Sequence, residues 1–438
     1  MSQPENLLAL DRLLADLRRN YPDERVRGTL FENLIQAFFR LEPFYQDHFS
    51  QVWAFPAWAH SRGLSGQDRG VDLVAEIAGE RGLFSAIQCK FHQDDHPIQK
   101  SDINSFLAES GRPEFVERIL VTTTTVASSA QATLEGQSVP CWIVDRLALA
   151  NSLVDWSRYN LEVGVAVARP KKTLRPHQVE ALTNIRKGFQ AWERGTVLMA
   201  CGSGKSYLSL KVAEAEVGAG GLVLFLVPSL ALLSQILTEW TQEASLPLHS
   251  YAVCSDAYVG RLSQNQVDDY NFLLHELQFP ATTKAGPLVR AVKARRSASH
   301  LTTIFSTYQS IEVLAEAQKV GLPEFDLIIC DEAHRTTGST FVEEEDSSFV
   351  LVHDNDYIRA RKRLYMTATP KIFAVNDKKA RNAETDTVVL FSMDDKRLFG
   401  PVFHSLSFSE AVKRGLLVDY KVLVLSMDES LINRRVKL

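Results

Sequence analysis

Two consecutive α/β domains are predicted, on three observations. Residues 28 to about 156 alternate helical stretches with short apolar strands: GTLFENLIQAFFRL, VDLVAEI, LFSAIQCK, IQKSDINSFLAES, RILVTTT and CWIVD. From residue 177 the alternation repeats on a larger scale, with strands TVLMA, GLVLFLVP, TTIFST, FDLIICD and RLYMTAT separated by helical stretches. Between the two, VGVAVARPKKTLRP carries two prolines and a basic cluster, the composition of a linker. The expected organisation is therefore a first domain over 1–162, a linker over 163–176, a second domain over 177–400 and the beginning of a further one over 401–438.

Composition limits what these domains can be. At 438 residues, 45% hydrophobic and 23% charged, the chain can bury two or three cores and is not disordered. A net charge of −5 argues against a uniformly basic coat for nucleic acid, although RPKKTLRPHQ could meet phosphates locally. The five cysteines form no CxxC and no Cys/His pairing, so they read as reduced thiols without a zinc site. There is no signal-peptide pattern, and the longest apolar run, LVLFLVP, is too short to span a bilayer. A cytoplasmic protein is expected. The acidic EEED run at 343–346 reads as a solvated loop.

Leu7, Leu10, Leu14 and Leu17 recur at helical spacing, which predicts an amphipathic helix packed on its own domain. The segment that carries chemistry comes later, in FSAIQCK. Alternation along a strand places Gln88 and Lys90 on one face and Ile87 and Cys89 on the other. A hairpin centred on Arg81 pairs residues whose numbers sum to 162, setting Asp72 opposite Lys90. A carboxylate, a main-chain carbonyl and the Gln88 amide oxygen would make a hard-oxygen site for Mg²⁺, with Lys90 beside the water that attacks a phosphodiester. Glu32, on the first long helix, is a candidate to orient the metal. The spacing alone fits an ordinary surface ion pair equally well, worth less than about 1 kcal/mol.

The assembled pattern DRGVDLVAEI, IQCK, ERILVTTTTVASSA and CWIVD resembles the Mrr-like branch of the PD-(D/E)xK nucleases. That resemblance makes Asp72 the motif aspartate and Gln88 the replacement for a usual acidic residue in a QxK ending at Lys90. The upstream VWAFPAWAHSRG, with Trp53 and Trp58, is similar to a tryptophan-containing stretch in single-polypeptide restriction enzymes. Asp68 is a further acidic residue near the site, equally readable as part of a turn.

MACGSGKS follows an apolar strand and precedes a helical stretch, the context of a phosphate-binding loop. Gly202, Ser203 and Gly204 let backbone N–H groups approach phosphate, Lys205 reaches the β- and γ-phosphates, and Ser206 offers a hydroxyl to Mg²⁺. Met199 stands where the strict pattern has its first glycine. Downstream, FDLIICDEAH ends a strand with Asp331 and Glu332, placed to hold the metal and to orient the attacking water.

These features resemble the first, RecA-like motor lobe of superfamily 2 helicases and translocases over residues 173 to about 400. The resemblance implies that Gln178 in LRPHQVEAL reads adenine and that LFLVPSLALLSQ and FSTYQSI contact the nucleic-acid backbone. It further implies that Thr367 and Thr369 of YMTATP couple the ATP site to strand binding and that His334 communicates with a second lobe. A nuclease fused to a DEAH motor is most similar to the single-polypeptide type I (type ISP) restriction-modification enzymes. ATP, Mg²⁺ and double-stranded DNA are the expected cofactors and partner. The remaining motor lobe, a methyltransferase and a target-recognition domain are expected in the same polypeptide, of which this chain reads as an N-terminal portion. Two rivals stand beside this reading. One is the motor/nuclease subunit of a multi-subunit restriction or DNA-repair helicase complex. The other is a DNA-binding ATPase switch with an inactive nuclease-like domain.

Overall fold

The computed structural model describes residues 3–66, 70–93, 95–254, 281–339, 347–373 and 390–419. Asp68 and the EEED run lie outside the described residues. Among the described residues no helix is long and apolar enough to cross a membrane.

The first domain is built on a five-stranded sheet in sequential order: β1 (Phe49–Ala54), β2 (Leu73–Ile77), β3 (Phe84–Lys90), β4 (Phe115–Thr122) and β5 (Cys141–Val144). The first three run antiparallel and the last three parallel. Helices α1 (Gln3–Asn20), α2 (Glu24–Leu41), α3 (Pro43–His48), α4 (Phe55–Ser61), α5 (Lys100–Glu109), α6 (Ser128–Glu135) and α7 (Arg146–Asn151) supply the packing. Alternation splits the strand side chains between two cores. Leu73, Ala75, Ile87, Ile119 and Val121 meet the α1–α2–α7 side, and Val74, Ala86 and Leu120 meet the α4–α5–α6 side.

Helix α2 forms because Phe31, Leu34, Ile35, Phe38 and Phe39 make one buried stripe, and the Asp23 carboxylate caps its start by accepting from Arg25 and Val26 N–H. In α1 the leucine stripe packs against α7 and its surroundings, with Asn6 Nδ2 donating to the Ala150 and Val154 carbonyls at 2.7 and 3.0 Å.

The second domain is a sheet of eight parallel strands in the order β15-β6-β13-β11-β7-β10-β8-β9. The strands are β6 (Arg194–Met199), β7 (Leu222–Val227), β8 (Leu248–Val253), β9 (Ala281–Thr282), β10 (Leu301–Thr307), β11 (Phe325–Cys330), β13 (Ala360–Thr367) and β15 (Val402–Leu406). A separate antiparallel pair joins β12 (Gly338–Ser339) to β14 (Leu390–Phe391). Helices α8 (Pro176–Ala191), α9 (Lys205–Glu216), α10 (Leu230–Glu243), α11 (Ala285–Arg295) and α12 (Ile311–Lys319) belong to this domain. Strand β7 is buried along its whole length, as a strand covered on both faces must be.

One expected boundary shifts. The further lobe expected from 401 does not begin there, because β15 pairs in parallel with β6 as the edge of the same sheet. Its anchor is Phe403, whose ring fills the space that a Cβ on Gly188 of α8 or on Gly195 of β6 would occupy. Gly195→Ala should therefore destabilise the domain by roughly 1–3 kcal/mol through overpacking, read as a lower melting temperature. Residues 420–438 lie outside the described residues.

The linker expected over 163–176 is also docked at both ends. Asp155 and Arg169 N–H donate to the Val167 and Leu153 carbonyls at 2.8 Å each, which folds the first half back on the first domain. Lys172 Nζ lies 2.8 Å from Glu239, and Lys171 donates to the Ala244 carbonyl, so these lysines bind protein rather than standing free for phosphate.

The two domains meet along a polar seam. Glu42, at the start of α3 and 2% exposed, accepts from Leu153 N–H at 2.7 Å and from Gln242 Nε2 of α10 at 3.0 Å. Burial is the largest influence on this carboxyl and pushes it up to about 6 from 4.5. An acid raised in the folded state binds more protons there than when unfolded, so its contribution to stability falls as pH rises from 4.5 through 6. Relative to the parent, Glu42→Gln should gain on the order of 2 kcal/mol across that window, 1.5 pKa units at 1.36 kcal/mol each. Paired denaturant melts at pH 4 and pH 7 measure the difference.

Candidate functional sites

In the first domain the hairpin is in a different register from the one expected. Paired residues sum to 160, as in Leu73↔Ile87 and Ala75↔Ser85, so continuing the ladder sets Asp72 opposite Gln88 rather than Lys90. The cause is the turn. Ile77 N–H donates to the Leu83 carbonyl at 3.0 Å, while Gly79 and Gly82 take left-handed φ values of 84° and 85°, which centres the reversal on residue 80. A slip of two residues preserves facing, so Gln88 and Lys90 keep the side of the sheet they were assigned.

The Asp72 carboxylate reaches across to the end of β3, where its Oδ2 accepts the Cys89 N–H at 2.6 Å. It thereby stands at the peptide between Gln88 and Lys90. Glu32 of α2 lies near enough for its charge to act on the neighbouring Cys89. The Cys89 thiol is pushed well above its usual range by burial first, then by the charges of Asp72 and Glu32, with Lys90 opposing them. Gln88 is 3% exposed and its Oε1 has no hydrogen-bond partner within the protein. A buried amide oxygen left unpaired is costly unless something outside the chain satisfies it. A carboxylate and one such oxygen suit Mg²⁺, which favours oxygen donors and keeps several waters. Among the described residues no group of three His, Cys, Asp or Glu side chains is placed to hold a metal, so the amide would have to serve as a ligand.

The tryptophan stretch has a structural explanation. Trp53 lies in β1 opposite Val74, and Trp58 is 1% exposed, its ring 5.4 Å from that of Phe84 in the core.

In the second domain the loop after β6 carries Gly202 and Gly204 at φ values of 78° and 84°, and Gly204 caps α9. A Cβ on Gly204 would strike Gln178 Nε2, so the left-handed backbone and the close approach both require glycine. Lys205 Nζ donates to the Met199 carbonyl at 3.2 Å, and Ser206 is half-buried in the first turn of α9. Gln178 is committed at both ends of its amide: Oε1 accepts Arg175 N–H at 2.9 Å and Nε2 donates to the Gly204 carbonyl at 3.0 Å. His177, which the sequence reading passed over, donates from Nε2 to the Ser203 carbonyl at 2.9 Å. Its position beside Gln178 in LRPHQ was the available signal.

Strands β6, β13 and β11 are neighbours, so their carboxyl ends gather the loop, the YMTATP turn and the DEAH turn on one edge. Asp331 is buried with Oδ1 unpaired, and its carboxyl is pushed up to about 6 by burial and by the Glu332 charge, against the pull of Lys205. Glu332 has a φ of 47°, the one left-handed non-glycine among the described residues, and such backbone persists where the surroundings over-determine it. His334 Nδ1 lies 2.9 Å from Thr367 Oγ1 and 3.3 Å from Glu332 Oε2, and Thr369 N–H donates to Thr367 Oγ1 at 3.2 Å. Burial, more than its charged neighbours, lowers the His334 pKa, which favours the neutral ring in this network. Tyr308 of FSTYQSI is fully buried and donates to the Asp331 carbonyl at 2.8 Å, which ties the end of β10 to the DEAH turn instead of presenting this side chain to a strand of DNA.

Comparison with known proteins agrees with this two-part architecture. Residues 40–163 match a restriction endonuclease family of Mrr type, and residues 171–372 match the res subunit of type III restriction enzymes. A solved structure described as the ATP-dependent type ISP restriction-modification enzyme LlaBIII bound to DNA superposes on 97% of this chain with a TM-score of 0.78 at 36% identity. A nuclease-deletion mutant of the type ISP enzyme LlaGI in complex with a DNA substrate mimic is also 36% identical, over 56% of this chain, with a TM-score of 0.43. The probable helicase A859L of African swine fever virus (isolate Pig/Kenya/KEN-50/1950) is 30% identical over 248 residues, 57% of this chain. The chain spans 27% of the LlaBIII chain and 24% of the viral helicase.

Proposed function

We propose that this chain, a restriction-endonuclease domain joined to a helicase-type ATPase lobe as in type ISP restriction-modification enzymes, is the cutting and motor part of such an enzyme. Its activity would be Mg²⁺-dependent cleavage of duplex DNA coupled to ATP-driven movement along it. The carrying observation is a repeated arrangement. In each domain a buried oxygen without a protein partner, Gln88 Oε1 or Asp331 Oδ1, stands near a carboxylate and a lysine.

Bound Mg²⁺ would supply Lewis acidity at the scissile phosphate in the first site and neutralise phosphate charge in the second. Asp72, Glu32 and Gln88 would hold it in the first, Ser206 and Asp331 in the second. Lys90 stabilises negative charge developing on the cleaved phosphodiester and positions the attacking water. In the motor lobe Lys205 and the Gly202–Ser203–Gly204 backbone bind the phosphates, while Glu332 orients the water that attacks the γ-phosphate. Gln178 would read adenine by exchanging its present backbone partners for the base. The Glu332–His334–Thr367–Thr369 chain links hydrolysis to the surface that grips DNA. Phosphate-backbone binding carries no sequence information, which suits a translocating motor, so target choice would belong to other parts of the polypeptide. Five free thiols fit a reducing cytoplasm.

The test is plasmid cleavage in Mg²⁺ by the parent and by Lys90→Ala, with duplex binding measured in parallel. Lost cutting with retained binding supports the reading. Binding without cutting in the parent would instead make the chain a DNA-binding ATPase switch.

A further inference from the structure

The six-residue helix α3 lies between the two domains and sends polar side chains both ways. On its own side His48 Nε2 meets Glu117 of β4 at 2.9 Å. On the other side Asp47 Oδ1 lies 2.7 Å from His249 Nδ1 of β8 and 2.5 Å from Arg295 Nη2 at the end of α11, and the same guanidinium donates to the Asp47 carbonyl. The three side chains are 15%, 9% and 12% exposed, so the cluster is largely out of water. Further contacts fix His249 and Arg295 in place. The His300 ring stacks on His249 at 4.1 Å and 1°, and the Arg295 stem lies against Gly79 in the β2–β3 turn, 3.3 Å from where a Cβ would stand. A second tie runs from Glu42 through Gln242, which also donates to the Asn151 carbonyl at 2.9 Å.

Domains joined by a linker are expected to move against each other unless their interface prevents it. Opening this seam would leave Asp47 and Arg295 without their partners in surroundings that solvate a lone charge poorly, which is far costlier than parting two exposed residues. We propose that α3 is a latch that fastens the nuclease domain to the motor lobe through Asp47, Arg295 and His249, so that the two move as one rigid body. The cutting site would then travel at a constant offset from the motor. That consequence rests on the first domain being a nuclease, whereas the rigid coupling does not.

The test reads geometry rather than activity. Spin labels carried on unnatural residues replace the exposed Ala132 of α6 and Lys187 of α8 in the whole chain, and pulsed dipolar spectroscopy gives their distance distribution. The parent should show one narrow population, and Asp47→Asn and Arg295→Met should each broaden it at least twofold. Lys362→Met, which removes an ion pair to Glu216 inside the motor lobe at 2.8 Å, should leave it narrow. A broad parent distribution, narrow distributions in the folded latch variants, or equal broadening in the Lys362 control would each overturn the proposal. Should both latch variants fail to fold by circular dichroism, His249→Ala decides. It removes the ring that meets Asp47 while leaving Arg295 on that carboxylate, and a distribution as narrow as the parent's would reject the latch while a broadened one upholds it.

Discussion

Lys205→Ala is expected to weaken Mg²⁺·ATP binding by at least about a hundredfold. Two effects add. A hydrogen bond to a charged group is worth about 1.5–3 kcal/mol, and on the proposed function the ammonium makes such bonds to the β- and γ-phosphates. Roughly 3 kcal/mol corresponds to about two orders of magnitude in affinity. The second effect reaches Asp331, whose carboxyl already stands at about 6 because burial and Glu332 raise it while Lys205 pulls it down. Removing the cation lets it rise further, so a larger fraction is protonated at neutral pH and the metal loses a ligand. Titration of a fluorescent ATP analogue with and without Mg²⁺ separates the two: the phosphate contact is lost in both conditions, the metal contribution only with Mg²⁺. Affinity within threefold of the parent in both would remove the loop after β6 from the ATP site.

The helicase-type ATPase lobe was more legible in the sequence than the first domain, for a physical reason. A phosphate loop and a DEAH turn are contiguous strings whose chemistry depends on local backbone, so MACGSGKS and FDLIICDEAH declare themselves without any tertiary information. The candidate cleavage face of the first domain depends on pairing. Parity in FSAIQCK was readable because alternation is local, whereas register was set by a turn whose centre lies one residue from the one expected, which moved the partner of Asp72 by two. Strands β1 and β8 escaped notice because each mixes polar residues into a short run: FSQVWA is interrupted by a register shift between Phe49 and Gln51, and LHSYAV carries His249 and Ser250. The fate of β15 was invisible for a different reason. Only the fold reveals that Phe403 fills the space over two glycines from distant parts of the chain. The unpaired oxygens of Gln88 and Asp331 likewise have no signature in sequence, since burial without a partner is a property of the packed state.

Asp72→Asn should reduce Mg²⁺-dependent DNA cleavage by about a thousandfold or more. The substitution preserves size but takes one full negative charge from a site with only Glu32 as its other carboxylate, and metal-assisted charge stabilisation is worth several kcal/mol in the transition state. It also turns one of the two side-chain oxygens into an NH₂ group. If the remaining oxygen keeps the Cys89 N–H, a donor faces the metal, and if it turns to the metal, that N–H loses its acceptor. Duplex binding, carried by phosphate contacts elsewhere, should change by only a few fold. The companion variant Gln88→Glu separates charge from geometry. It restores an acidic residue at a position that is 3% exposed and close to the Asp72 carboxylate, so its own pKa should be raised by burial and by that charge. Cleavage by Gln88→Glu should therefore acquire a steeper pH dependence than the parent, weak where the new carboxyl is protonated and recovering as pH rises. Asp72→Asn cutting within tenfold of the parent, at saturating Mg²⁺, would show that the end of the β2–β3 hairpin is not where DNA is cut.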